Sequence, residues 1–223
     1  MINKELQKRI FSSIILIPIA IFFIIKGSLL FNFFITIIFL VSSYEWYMMS
    51  KKKNYHYIGY LFLIFSFYTV YELRNDFGDE NESLLFFLFV LLICISTDIG
   101  GFLFGKIFKG PKLTKISPNK TYSGMIGGYL FSFVIIFFLF EYSEFLFNQK
   151  TKWLPIVYLH IILISTISQF GDIVISYFKR LSKIKDTGKI IPGHGGILDR
   201  IDGMIFAFPF AYIVYFLGIL GIK

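Results

Sequence analysis

The chain has one cysteine, Cys94, set inside an apolar run. An intrachain disulfide is therefore excluded, and a thiolate metal site is argued against; packing is the role left to it. Charge is scarce as well, since Asp, Glu, Lys and Arg make up only 16% of the 223 residues. The longest polar stretches are roughly 106–122 and 176–202, which leaves little for a soluble domain. The apolar runs lack strand-like alternation, which argues against a membrane β-barrel. The first run follows Lys4, Lys8 and Arg9, carries Pro18 and lacks a small-residue cleavage site, so it reads as a retained span and not a signal peptide. No internal repeat of the transporter kind is visible.

What is present is oil. The chain is 56% hydrophobic with 30 Phe, 14 Tyr and a mean hydropathy of +0.71. Apolar runs of about 17–25 residues match the roughly 30 Å of a bilayer's hydrocarbon core. The expected fold is all-α: one polytopic helical domain over 1–223, with about seven spans near 10–27, 29–48, 57–73, 84–105, 123–147, 154–178 and 202–221. The net charge of +8 is not that of a nucleic-acid binder, because its distribution follows the positive-inside rule. A cytoplasmic N-terminus puts Lys4, Lys8, Arg9, Lys51–Lys53, the five lysines between 106 and 120, and the six cations between 179 and 200 on one side. Only Lys26, Arg74, Lys150, Lys152 and Lys223 fall on the other. Both polar loops then face the cytoplasm, where nucleotides and magnesium are found.

Two carboxylates interrupt the spans. Asp98 and Asp172 lie about 10–12 Å from the cytoplasmic ends of their helices. A carboxylate there is costly unless it faces protein or a wet cavity, so each is a possible site or a hydrogen-bonding lock between helices. Glu45 and Glu141 stand near span ends and read as reaching the interface; His160 reads as a packed polar residue.

The stretch 176–202 gathers Lys179, Arg180, Lys183, Lys185, Lys189 and Arg200 around Asp186, Asp199 and Asp202, with Gly193-His194-Gly195-Gly196 between them. Cations, carboxylates and sterically free amides suit phosphates and a divalent metal. Asp199 and Asp202 stand three apart, on one face of a helix start; with Asp172 they could form an oxygen site for Mg²⁺, or they could serve as a cap and an ion pair with Arg200.

The order S-x2-K-R-x4-K-D-x-G-x2-I-P-G-H-G-G-x2-D-R-x-D, from Ser176 to Asp202, resembles the signature of the phosphatidate cytidylyltransferases (CDP-diacylglycerol synthases) without a mismatch. Asp98 to Gly124, with Ile116-Ser117-Pro118-Asn119-Lys120-Thr121, resembles that family's upstream loop. Ser123 stands where the family usually has Glu, and Tyr122 where an aromatic, often Trp, is common. The chain is also short for the family, which often has one or two more spans. The resemblance implies cytidylyl transfer from CTP to phosphatidate in a bacterial-type inner membrane, with the active site facing the cytoplasm. Magnesium is the implied cofactor, with a second, monovalent ion left open. Partners are CTP, phosphatidate and membrane lipids, not nucleic acid, with a homodimer left open. Asp172, Asp199 and Asp202 are the expected metal ligands. Lys179, Arg180, Lys185 and Arg200 are expected to hold phosphates, with Asp186 and His194 beside them. Gly193, Gly195 and Gly196 would offer backbone donors, and Ser117, Lys120 and Thr121 would close the site. The rivals are a CTP-dependent polyprenol or phytol kinase and a non-enzymatic transporter.

Overall fold

The computed structural model describes residues 4–147, 155–193 and 195–218. His194, expected at the site, lies outside them, as do the end of the seventh expected span and the connection at 148–154. The described residues are all-helical, in the order α1 (Lys4–Lys26), α2 (Ser28–Ser50), α3 (His56–Asn75), α4 (Glu80–Phe108), α5 (Tyr122–Glu141), α6 (Ser143–Phe147), α7 (Pro155–Leu181), α8 (Leu198–Ile201) and α9 (Met204–Phe216).

Five of these, α1, α2, α4, α5 and α7, are long and apolar enough to cross a membrane. The expected third span is α3, which has the length at 20 residues but is diluted by His56, Glu72, Arg74 and Asn75. The expected seventh begins later than its pattern suggested. Asp199 and Arg200 fall in the single turn α8, and the apolar helix proper, α9, has 13 residues, about 20 Å. The expected fifth span ends at Glu141, and α6 continues the chain separately.

Close helix packing is written in glycine. Gly100 and Gly101 of α4 meet Gly127 and Gly124 of α5, and Gly128 meets Thr97. A Cβ at Gly100 would lie 2.4 Å from the Gly127 carbonyl oxygen, and one at Gly124 would lie 2.7 Å from that of Gly101. No side chain fits there, so the two backbones touch. Beside this seam, buried hydroxyls join three helices. Thr97 Oγ1 bonds Ser165 Oγ of α7 at 2.8 Å and Ser132 Oγ of α5 at 2.9 Å.

At the α1–α2 corner, Gly27 takes φ +61°, and the buried Arg74 of α3 donates from Nε to the Ile24 carbonyl at 2.9 Å and from Nη2 to that of Ile25 at 3.3 Å. A cation thus closes the carbonyl end of α1, where the helix dipole favours positive charge.

Phe31, Phe87, Val90, Ile93, Ile136, Ile161 and Phe208 form the larger apolar core. Trp46, Met49, Leu63, Ile175, Leu198 and Ile205 form a second one at the end of the bundle that carries the polar loops. That end collects the starts of α1, α3, α5 and α9 and the ends of α2, α4 and α7. Three bonds mark it: Arg9 to the 190s loop, Trp46 Nε1 to the His56 carbonyl at 3.0 Å, and Tyr55 to Ser182 at 3.3 Å. The N-terminal helix starts on the same face as both basic loops, as expected.

Candidate active site

Asp172 marks the centre of that face. It is buried, two turns inside the end of α7. Glycine brings its neighbours close: a Cβ at Gly171 would fall 2.8 Å from the Asp202 carbonyl oxygen, and one at Gly203 would fall 2.9 Å from Asp172 Oδ1. The half-buried Asp202 and the more open Asp98 of α4 both act electrostatically on the Asp172 carboxylate. Lys120, from the upstream loop, answers this acidity by donating to Asp172 Oδ2 at 2.6 Å. Among the described residues, Asp172 Oδ1 is buried with no hydrogen-bond partner.

The upstream loop is held in shape by its own backbone. Leu113 N donates to Lys120 O at 2.8 Å, and Lys120 N to Ser117 O at 3.0 Å. Thr121 caps α5 by accepting from Gly124 N at 3.1 Å. These bonds fix where Lys120 leaves the backbone, and so aim its ammonium into the bundle. Ser123, in place of the Glu common in the resembling family, donates to the Lys109 carbonyl and contacts Thr121 Oγ1 at 3.0 Å. Here it is a loop clasp.

Asp199 belongs to a second cluster. Lys179 Nζ donates to its Oδ1 at 2.7 Å, while the amides of Thr187 and Gly196 donate to Oδ2 at 2.8 and 3.1 Å. Burial works to raise this carboxyl's pKa, but the ammonium and the two amides outweigh it and hold Asp199 below the ordinary carboxylate range. The three expected metal ligands are therefore divided: Asp172 and Asp202 lie together with Asp98, and Asp199 lies with Lys179. For Asp199 to serve a metal, Lys179 must release Oδ1.

The loop between these residues folds tightly. Ile191 N donates to Gly195 O at 3.0 Å, and Gly193 and Gly195 take φ +76° and +87°, where a side chain would be strained. The Gly196 amide, expected to meet phosphate, is committed to Asp199. Lys185, Asp186 and Arg200 are exposed at the rim, with Asp186 packed near Gly195 and Arg200 acting electrostatically on Asp98. Arg180 is exposed too and lines a cleft of about 550 Å³ with Lys115, Ile116, Pro118 and Tyr177. The cleft is apolar with two cations, which suits an amphipathic ligand.

Glu45 differs from expectation. Instead of reaching the interface it is 1% exposed, and it accepts from Thr187 Oγ1, Ile197 N and Leu198 N at 2.9, 3.0 and 2.8 Å. The sequence carries a weak signal for it: an acid within an apolar run, opposite a loop rich in unsatisfied amides.

Among the described residues, no three His, Cys, Asp or Glu side chains are arranged to hold a metal ion as they stand. The donor chemistry nevertheless fits a small hard cation. Asp98, Asp172 and Asp202 supply oxygen only, and the partnerless Asp172 Oδ1 is a buried acceptor with unused lone pairs.

Residues 60–217 match the sequence pattern described as the cytidylyltransferase family. A phosphatidate cytidylyltransferase of Rickettsia felis is 35% identical over 229 residues, covering 98% of this chain and 94% of the relative. That of Rickettsia typhi is 34% identical, covering 93% and 90%. That of Staphylococcus saprophyticus is 34% identical over 176 residues, 75% of this chain, which spans 64% of that longer protein.

Proposed function

The chain belongs to the cytidylyltransferase family, and from that membership we infer that it transfers the cytidylyl group of CTP to phosphatidate, giving CDP-diacylglycerol and pyrophosphate. A phosphate oxygen of phosphatidate bonds to the α-phosphorus of CTP, the bond from that phosphorus to the β-phosphate oxygen breaks, and pyrophosphate leaves with the electron pair. The acceptor brings its own nucleophile. No Ser, Cys or His need be activated, and what remains is alignment and neutralisation of charge.

The observation that carries this reading is the Lys120–Asp172 contact at 2.6 Å, which ties the cation-rich upstream loop to a carboxylate sunk in α7. Lys120 stands ready to move from carboxylate to phosphate. In this reading Lys179, Arg180, Lys185 and Arg200 hold the triphosphate and the lipid phosphate. Bound there, Mg²⁺ would supply charge neutralisation on phosphate oxygens, held by Asp172 and Asp202 with Asp98 facing it, and by Asp199 if Lys179 moves to phosphate. The loop face is the cytoplasmic one in this reading, because it carries the bulk of the basic residues.

The test is purified protein with labelled CTP, Mg²⁺ and either phosphatidate or a polyprenol acceptor. CDP-lipid formed only with phosphatidate is the expected result. Release of CDP with a phosphorylated polyprenol would overturn the reading in favour of a lipid kinase.

A further inference from the structure

Glu45 has no task in the reaction scheme, yet its environment is built with care. It lies in α2, before the part of the chain that matches the family pattern, and its carboxylate accepts from three donors. The donors bracket the glycine loop. Thr187 enters it; Ile197 and Leu198 leave it. Two loop glycines are shaped around the same carboxylate: a Cβ at Gly188 would fall 2.5 Å from Oε1, and one at Gly196 would fall 2.5 Å from Oε2. Gly188 has no left-handed φ, so it is Glu45, and not the backbone, that leaves no room for a side chain there.

The same residues reach onward to the charged cluster. Thr187 gives its hydroxyl to Glu45 and its amide to Asp199, while Leu198, whose amide Glu45 holds, is the neighbour of Asp199. Asp199 in turn holds Lys179. From the far side, α1 straps the loop crest: Arg9 Nε donates to the Gly193 carbonyl at 2.8 Å and Ser12 Oγ to that of Pro192 at 3.1 Å. A carboxylate is acceptor-only, which is what three converging donors require, and its charge strengthens each bond.

We propose that Glu45 is a positioning residue for cytidylyl transfer, setting the placement of the 187–199 loop and through it Asp199 and Lys179. This rests on the function proposed above. Glutamine keeps the shape but turns an N–H group toward at least one donor, whereas aspartate keeps the charge on a shorter arm. Glu45→Gln is therefore expected to lower kcat/KM for CTP by about 10- to 100-fold, the scale on which small misplacements act. Glu45→Asp should retain more activity than Glu45→Gln. Gly188→Ala should impair the enzyme in the same way, and Glu45→Asp should relieve that defect because the shortened carboxylate clears the 2.5 Å overlap.

The experiment measures turnover per folded molecule, both KM values, and amide hydrogen exchange in detergent. Faster exchange confined to 187–199 in Glu45→Gln is the expected signature. Near-normal kcat/KM for CTP in that variant, or no relief of Gly188→Ala by Glu45→Asp, would overturn the proposal. If the wild-type protein makes no CDP-diacylglycerol, the proposed function falls. The exchange arm then decides on Glu45 alone: unchanged protection of 187–199 in Glu45→Gln ends its positioning role, and faster exchange there upholds its hold on the loop.

Discussion

Removing either partner of an ordinary salt bridge destabilises a protein, but Lys120 and Asp172 should behave oppositely when no divalent cation is present. Asp172 meets one ammonium and two other carboxylates, Asp98 and Asp202. Unit charges about 4 Å apart interact by about 4 kcal/mol at an effective dielectric of 20, so two repulsions oppose one attraction. Asp172→Asn removes both repulsions and still leaves an amide oxygen to accept from Lys120. Its melting temperature in detergent with EDTA should equal or exceed the wild type's. Lys120→Met removes the ammonium that donates to Asp172. A fully buried pair broken this way costs about 3–5 kcal/mol. Because the Lys120 side chain is 27% exposed, solvent screening reduces that to about 2–3 kcal/mol. For a chain of this size the drop is about 4–12 °C. Both variants should lose about 10²–10³-fold in turnover, since each removes charge stabilisation of the reacting phosphates. Differential scanning fluorimetry of the two variants and their double mutant provides the assay. A fall of more than about 4 °C for Asp172→Asn would refute the three-carboxylate reading.

Gly100→Ala, whose Cβ would meet the Gly127 carbonyl at 2.4 Å, should cost about 1–3 kcal/mol. Gly101→Ala, with its nearest atom at 3.7 Å, should stay within about 0.5 kcal/mol; paired melting curves check both. Asp199 has a folded pKa held below its unfolded value, so the stability it contributes is complete above about pH 4. That contribution is lost as pH falls through the lower folded value. Asp199→Asn should accordingly flatten the acid limb of melting temperature against pH below about pH 4. EDTA should abolish CDP-diacylglycerol formation and Mg²⁺ restore it, read by lipid extraction of labelled product; full activity in EDTA would remove the metal from the scheme.

The local features of this chain are legible in its sequence. Apolar run lengths give the long helices, and the expense of a charge in hydrocarbon singles out Asp98 and Asp172 by their position within those runs. The glycines at 100, 101, 124, 127 and 128 declare close approach, though not which helices approach. Partners distant in sequence stay hidden. Arg74 looks like a lone cation outside a span but closes the end of α1, and Ser123 looks like a lost acid but clasps Lys109. Spacing places Asp199 on a helix face with Asp202, yet the tight loop from Thr187 to Gly196 turns it toward Lys179 instead. Periodicity ranks residues along one helix and cannot say what crosses to meet them.

The Glu45 contacts also order events in time. Its partners come 142 to 153 residues later, which at about 5–20 residues per second is roughly 7–30 s of synthesis. Throughout that wait α2 carries an acid without its donors, about 7–8 Å from its end at Ser50. A chain halted before residue 187 keeps that carboxylate without its three donors, so an unfinished molecule differs physically from a finished one at the polar end of α2.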